Sequence, residues 1–229
     1  MNFTGTVLQS ISNWNIKYSY VFLQIFFCIV SLFPQQSKLS NTVNYLSDFI
    51  ASDYFSELKE TNSDLALVDT IYLRAISYSE DIDEALLALT FTTIPYKEVP
   101  IVIPLIKEVV YYPLTSADDS TFSLKNKNLP RYLFFDSPNS EQGDIDKLAH
   151  FFGNAFIGYS ENILDLSSLI GYFVESFEED FKVESRVDYR DLDVNIYGDL
   201  FGKLLNTNKN LLPSQVMLLR SLKYFNFIP

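Results

Sequence analysis

Five polar residues in the second half of the chain have types and spacing suited to proton transfer or metal binding. The first two are Asp146 and His150, which is the single histidine of the 229 residues. They lie four positions apart and so share one face of a predicted helix. A histidine and carboxylates that share a pocket shift one another's pKa and can move protons or hold a cation. The full candidate set is Asp146, His150, Glu175, Asp191 and Asn195.

Three interpretations of this set follow from the residues. In the catalytic one, His150 is a general base that the carboxylates orient. In the metal-binding one, the same groups are ligands, although one histidine leaves no second strong nitrogen donor. In the structural one, His150 bonds to Asp146 or Glu175 within a buried polar network that fixes helix register. The structural interpretation is favoured, because the chain has a single histidine and no second strong nitrogen ligand. No cofactor is predicted, and the sequence has no phosphate loop, nucleophile elbow, zinc motif or nucleotide fingerprint.

Three predicted helices must bring these residues together, over residues 144–159, 163–181 and 189–205. In the third helix, Asp191, Asn195, Gly198 and Gly202 fall at i, i+4, i+7 and i+11, which places them on one stripe. Glycines on such a stripe let another backbone approach closely, and the Asp and Asn face the same neighbour. Charged residues interrupt this region, which predicts a soluble or surface-lying bundle rather than membrane-spanning helices.

The rest of the chain predicts a mainly α fold, a helical bundle with a Pro-rich extended or short β insert around residues 92–138. Apolar residues at helical spacing precede the insert, and prolines interrupt every run within it. The insert is either a peripheral hairpin or a lip that lies on a membrane surface. The remaining predicted elements are helices over 40–59, 65–78, 84–89 and 213–225, strands over 99–103 and 106–112, and a loop over 115–128.

The first 37 residues predict a signal peptide or a membrane anchor. Residues 18–33 form an apolar run of about 16 residues that follows Lys17, and no acid occurs before Asp48. The run is shorter than the roughly 20 residues that a spanning helix prefers. Lipidation of Cys28 is disfavoured because Phe26 and Phe27 stand where a small residue is needed. The alternative is that this run is a buried helix of a cytosolic domain.

Residues 38–229 are predicted to form a single mainly helical domain. Its parts are a helical subregion over 38–91, an extended or loop region over 92–142 and a helical core over 143–229.

The amino-acid composition limits the classes of partner that the chain can bind. The chain carries 29 acids against 17 bases, a net charge of −12, so it lacks the basic surface that binds a phosphate backbone, and nucleic acid is excluded as a partner. The 20 Phe and 15 Tyr predict a bulky aromatic core or surfaces that face an apolar partner. The single cysteine excludes an intramolecular disulfide.

The candidate residues also carry a family resemblance. The chain reads D-K-x-x-H-F from Asp146, G-x-x-x-E from Gly171 to Glu175, and D-x-x-x-N-x-x-G-x-x-x-G from Asp191 to Gly202. This order resembles the VanZ-like and YfiM-like families of bacterial envelope proteins, over roughly 60 of the 229 residues. The resemblance implies a membrane-embedded protein or periplasmic lipoprotein without established chemistry. Some VanZ-like members are linked to glycopeptide-antibiotic resistance.

Three functions remain open from the sequence. The first is a non-enzymatic protein of the cell envelope, periplasmic or membrane-anchored, that docks to the membrane or to another envelope component. The second is a hydrolase that acts on a lipid or cell-wall substrate through His150 and the nearby carboxylates. The third is a cytosolic, acidic interaction domain.

Overall fold

The structure is a computed structural model, and it describes residues 38–102, 108–160 and 189–225. The predicted leader, the predicted helix over 163–181 and Glu175 lie outside these ranges. All of the described residues belong to one compact unit of the chain, which spans 38–229.

The prediction of a mainly α fold with a small β insert is confirmed. None of the described helices is long and apolar enough to cross a bilayer. In chain order, the described elements are α1 (Lys38–Ala51), α2 (Asp53–Thr61), α3 (Asp64–Ser79), α4 (Ile82–Thr93), β1 (Glu98–Val102), β2 (Val109–Pro113), α5 (Asp119–Asn128), α6 (Lys147–Ser160), α7 (Tyr189–Leu205) and α8 (Pro213–Phe225).

The helix predicted over residues 40–59 is in fact two helices, because Ser52 begins a new one. Ser52 has extended backbone angles, and its hydroxyl accepts the Phe55 N–H at 3.2 Å as the N-cap of α2. A serine side chain that satisfies a free N–H competes with continuation of the preceding helix. Phe55 remains fully buried, so the apolar spacing was correct although the helix was not continuous.

Helix α4 is longer at both ends than the prediction, which spans 84–89 with an extension as far as Phe91. Its last turn contains the buried threonines Thr90 and Thr93, which disfavour helix as isolated residues. The Thr90 hydroxyl donates to the Leu86 carbonyl at 2.9 Å, and the Thr93 hydroxyl donates to the Leu89 carbonyl at 2.8 Å. The helix satisfies these hydroxyls internally and therefore continues to Thr93.

The predicted loop over residues 115–128 is wrong, because most of it forms α5. Asp118 caps this helix by accepting the N–H groups of Ser120 and Thr121 at 3.0 and 3.2 Å. Polar contacts then hold it to the domain: the buried Lys125 side-chain nitrogen donates to the Thr92 and Ile94 carbonyls at 2.7 and 3.2 Å. Such a helix has no apolar stripe, so its periodicity gave no sign of it.

The insert contains an antiparallel hairpin, in which β1 pairs with β2 from Glu98 opposite Pro113 to Val102 opposite Val109. Both predicted strands are therefore confirmed, with shifted ends. Every residue of β2 is exposed, which makes the hairpin peripheral.

Helices α6 and α7 form the closest helix pair among the described residues, and they run parallel. Gly198 lies against the Phe151 carbonyl, and one turn later Gly202 lies against the Ala155 carbonyl. A Cβ on either glycine would overlap those carbonyl oxygens. The predicted stripe of α7 therefore faces another backbone, as expected, and that backbone is α6.

Aromatic residues extend this pair into the core. The Phe201 ring of α7 lies 5.4 Å from the Phe151 ring of α6 and 5.5 Å from the Tyr72 ring of α3, between ring centres. All three side chains are almost fully buried. The packing of α6 on α7 is thus continuous with the hydrophobic core of the first helices.

Replacing Gly202 by Ala tests this close approach. The added methyl overlaps the Ala155 carbonyl, so we expect a loss of more than about 2 kcal/mol in the free energy of unfolding, despite the better helix propensity of Ala. Gly153→Ala is the matched control, because its Cβ would meet only Thr90 Cγ2 at 3.4 Å. This control should be neutral or stabilising by up to about 1 kcal/mol. Urea unfolding that ranks the two variants equally would contradict the arrangement.

Lys125 should make stability depend on pH. Burial lowers the pKa of this lysine to about 7 from its ordinary 10.5. Between those pH values the unfolded chain holds a proton that the folded chain has lost, so raising the pH favours folding. We expect the wild type to gain stability relative to Lys125→Met between pH 7 and 10, by at most about 1.4 kcal/mol per unit. Parallel urea-midpoint curves for the two proteins across this range would refute the assignment.

Candidate functional site

Four of the five predicted site residues meet at the start of the α6–α7 pair. Asp146 immediately precedes α6, His150 lies in its first turn, and Asp191 and Asn195 lie on the facing side of α7. The fifth, Glu175, lies outside the described residues. The parallel direction of the two helices makes this possible, because both N-terminal turns lie at the same end.

Asn195 holds the imidazole of His150. The His150 Nδ1 atom lies 3.0 Å from the Asn195 Oδ1 atom, which also accepts from the Asn154 amide at 2.9 Å. An amide oxygen only accepts, so the hydrogen of this contact belongs to Nδ1. Asn154 also donates to the His150 carbonyl at 2.9 Å. The structural interpretation places His150 on Asp146 or Glu175; Asn195 is a ring contact that it did not include, and the part of it that involves Glu175 lies outside the described residues.

Lys147 lies between the two candidate carboxylates. Its ammonium is 3.1 and 3.2 Å from the two carboxylate oxygens of Asp146, and it forms an ion pair with Asp191 on α7. Burial by itself lowers the pKa of Lys147, but the charges of Asp146 and Asp191 outweigh burial and raise the pKa above its ordinary value. The lysine is therefore charged at neutral pH and links α6 to α7.

The group is largely closed to solvent. Lys147, His150 and Asp191 expose 4%, 7% and 8% of their surface. Asp146 is the most open member, since its side chain is one third exposed. A general base must reach its substrate, and in this arrangement the imidazole faces protein atoms rather than an open cleft.

The group offers ligands for a metal ion, but the Lys147 ammonium would compete with the metal for two of them. One ligand atom from each of Asp146, His150 and Asp191 lies within 4.8 Å of the others. The ammonium of Lys147 contacts both carboxylates of that set, so it supplies the positive charge that a cation would bring. A metal would have to displace this ion pair, and the residues present therefore fit a salt-bridged network better than a metal site.

A second buried network supports the first from the adjacent side. Asp144 is fully buried, accepts the Leu133 N–H at 3.0 Å and pairs with Arg190 at the start of α7. Asp136 pairs with Arg190 at 3.2 Å and with the fully buried Arg220 of α8 at 2.7 Å. Asp144, the first residue of the helix predicted over 144–159, makes these contacts from outside the helix. Helix α6 therefore begins only at Lys147.

The sequence interpretation did not include Lys147 or Asn154 among the site residues. Spacing gives no indication of the role of Lys147, because a lysine beside a carboxylate usually belongs to a solvated face. Asn154 offered a usable signal, because it lies four residues after His150 and so shares its helix face. The Arg190 and Arg220 pairs involve partners far away along the chain, and spacing gives no indication of them.

The chain matches no known family model, no curated protein and no solved structure. The resemblance to the VanZ-like and YfiM-like families therefore stays a prediction.

Removing the Lys147 ammonium tests whether the group is held by charge. In Lys147→Met, two carboxylates face each other without a cation, so we expect a loss of about 3–5 kcal/mol in the free energy of unfolding. The double variant Lys147→Met/Asp191→Asn should recover part of that loss, because only one charge remains. Urea unfolding of the wild type and the two variants measures both effects.

The same proteins separate the ionic network from a metal site. A resident cation would make Lys147→Met neutral or stabilising, and zinc would raise the melting temperature of the wild type. Either result would contradict the salt-bridged network.

Proposed function

We propose that this chain is a non-enzymatic protein of the cell envelope, in which a helical domain with a structural or interaction role is held together by its buried polar group. The observation that carries this proposal is the position of Lys147 between Asp146 and Asp191. This single ammonium offsets half of the charge of the two carboxylates and holds both in an ion pair, so they are less available as catalytic bases or metal ligands.

The hydrogen bonds that fix His150 support the same proposal. Asn195 fixes the Nδ1 side of His150, and Asn154 fixes both the Asn195 oxygen and the His150 backbone. Each of these polar groups satisfies another across the α6–α7 contact. Such networks specify helix register, because a shift by one turn would leave several buried polar atoms unpaired.

The envelope location is supported by the sequence rather than by the described domain. The apolar run over residues 18–33 and the acid-free leader are typical of an export signal or an anchor. The motif order from Asp146 to Gly202 resembles envelope families.

The second candidate, a hydrolase of a lipid or cell-wall substrate, is favoured by one observation. Because Asn195 holds the Nδ1 side of His150, a neutral ring has its proton-accepting atom at Nε2, which is the arrangement of an oriented general base. In this alternative, the largely buried group would have to open before substrate could reach the ring.

Fractionation of the producing cells tests the location. We expect the full chain in the periplasmic or membrane fraction, with its N-terminal segment either removed or retained in the membrane. A chain that lacks residues 1–37 is the matched control and should stay in the cytosol. An intact, unmodified full chain in the cytosolic fraction would contradict the proposal.

His150→Ala distinguishes the structural role from hydrolysis in the same protein. We expect a loss of about 2–4 kcal/mol in the free energy of unfolding, because Asn195 loses a buried donor and a cavity remains. A variant that unfolds like the wild type, yet no longer hydrolyses lipid or cell-wall extracts that the wild type degrades, would establish the hydrolase instead.

A further inference from the structure

Strand β2 exposes four consecutive large apolar side chains. Val109, Val110, Tyr111 and Tyr112 expose 52%, 46%, 64% and 55% of their surface. Successive side chains of a strand point to opposite faces, so both faces of the hairpin are apolar along β2. No residue of Val109–Pro113 is charged, although the whole chain has a net charge of −12.

The hydrogen-bonding direction of each β2 residue follows from the hairpin register. The Leu114 N–H donates to the Lys97 carbonyl at 2.7 Å, one pair beyond Glu98 and Pro113. Backbone groups in an antiparallel pair face the partner strand at every second residue. The even-numbered residues of β2 therefore direct their N–H and C=O groups towards β1, and the odd-numbered residues direct theirs away.

The outward groups belong to Val109, Tyr111 and Pro113. Pro100 of β1 lies opposite Tyr111, which agrees with this assignment, since proline has no N–H to donate across that pair. In the described part of the chain the sheet consists of β1 and β2 alone. The outer edge of β2 is thus an open strand edge, which readily pairs with another strand.

We propose that two copies of this chain pair through β2, antiparallel and about a two-fold axis at Tyr111, into one four-stranded sheet. In this register Tyr111 lies opposite Tyr111 of the second copy, and each N–H donates to the other's carbonyl. The Val109 N–H donates to the Pro113 carbonyl of the second copy. Val110 lies opposite Tyr112, and an aromatic residue beside a β-branched one is a favourable cross-strand pair.

The uncharged β2 edge permits a second copy to bind there. Two copies of an acidic chain repel each other generally, but β2 brings no like charges together, because Glu108 lies opposite Leu114 of the second copy. The edge of β1 is less suitable, since it carries Glu98 and the blocking Pro100. A lone two-stranded hairpin is marginally stable, and adding strands stabilises it.

A second copy also fits better than a lipid surface. Lipid would cover the apolar side chains but would leave the outward backbone groups of Val109 and Tyr111 without partners, which hydrocarbon does not tolerate. The pairing uses one short strand, so the interface is smaller than the roughly 1,200 Å² of stable complexes. We therefore expect a dissociation constant on the order of 10 μM.

Cross-linking tests the register in the full chain carrying Cys28→Ser. Residues directly opposite in a hydrogen-bonded antiparallel pair have Cα atoms about 5.5 Å apart, within disulfide range. We expect Tyr111→Cys to form an intermolecular disulfide under mild oxidation. Tyr54→Cys on α2 is the matched control, since Tyr54 is 60% exposed, and it should not cross-link. Equal cross-linking of both variants, or none with Tyr111→Cys, overturns the proposal.

Sedimentation tests the hydrogen-bonded edge. Val109→Pro removes an outward N–H at the first residue of β2, where proline is tolerated, and should weaken self-association at least ~10-fold. Val109→Thr keeps the N–H and should associate nearly as the wild type does.

Two results would overturn the pairing: a wild type that stays monomeric at ~200 μM, or equal association of the Val109→Pro and Val109→Thr variants. This proposal does not depend on the envelope location, and failure of either leaves the other intact.

Discussion

The close parallel contact between α6 and α7 is the constraint on which the rest of the described domain depends. Gly198 and Gly202 let the two backbones touch, and at that separation the Lys147 ammonium reaches a carboxylate on each side. The apolar contact and the ion pair require each other. The glycines bring the helices close enough to exclude water, and the ammonium compensates the carboxylates for the water they lose.

The polar residues at this contact hydrogen-bond to one another or form ion pairs with one another. Lys147 joins Asp146 to Asp191, and Asn195 joins His150 to Asn154. Beside them, Asp136 and Asp144 join the segment before α6 to the first turn of α7 and to α8. Buried charges are rarely used where apolar residues would do equally well, and one attested use is to fix register. That use fits α6 and α7, because the glycines at their contact have no side chains that would prevent one helix from sliding along the other.

The peripheral hairpin has the opposite character. The α6–α7 contact buries charged groups in ion pairs, whereas β2 leaves apolar side chains and one edge of backbone groups exposed. This contrast between a closed polar interior and an open apolar edge is what the proposed interaction role and the proposed pairing rest on. The sequence predicts that the aromatic residues form either a core or a surface that faces an apolar partner. Aromatic residues lie in both places, with Phe201 in the core and Tyr111 on the surface.

The sequence by itself determined the mainly α class, the exact span of α7 and α8, the presence of the two strands and the stripe from Asp191 to Gly202. These features depend on local periodicity and on proline and glycine positions, which are legible along the chain. Tertiary structure alone decided that Lys147 would pair with both carboxylates, that Asn195 would contact the His150 ring, and that α5 would be a helix. Each of those outcomes depends on atoms supplied by a distant segment: Asp191 for Lys147, Asn195 for His150, and the Thr92 and Ile94 carbonyls for Lys125. Spacing shows which residues can share a face, but the charge that faces them is known only after the chain has folded.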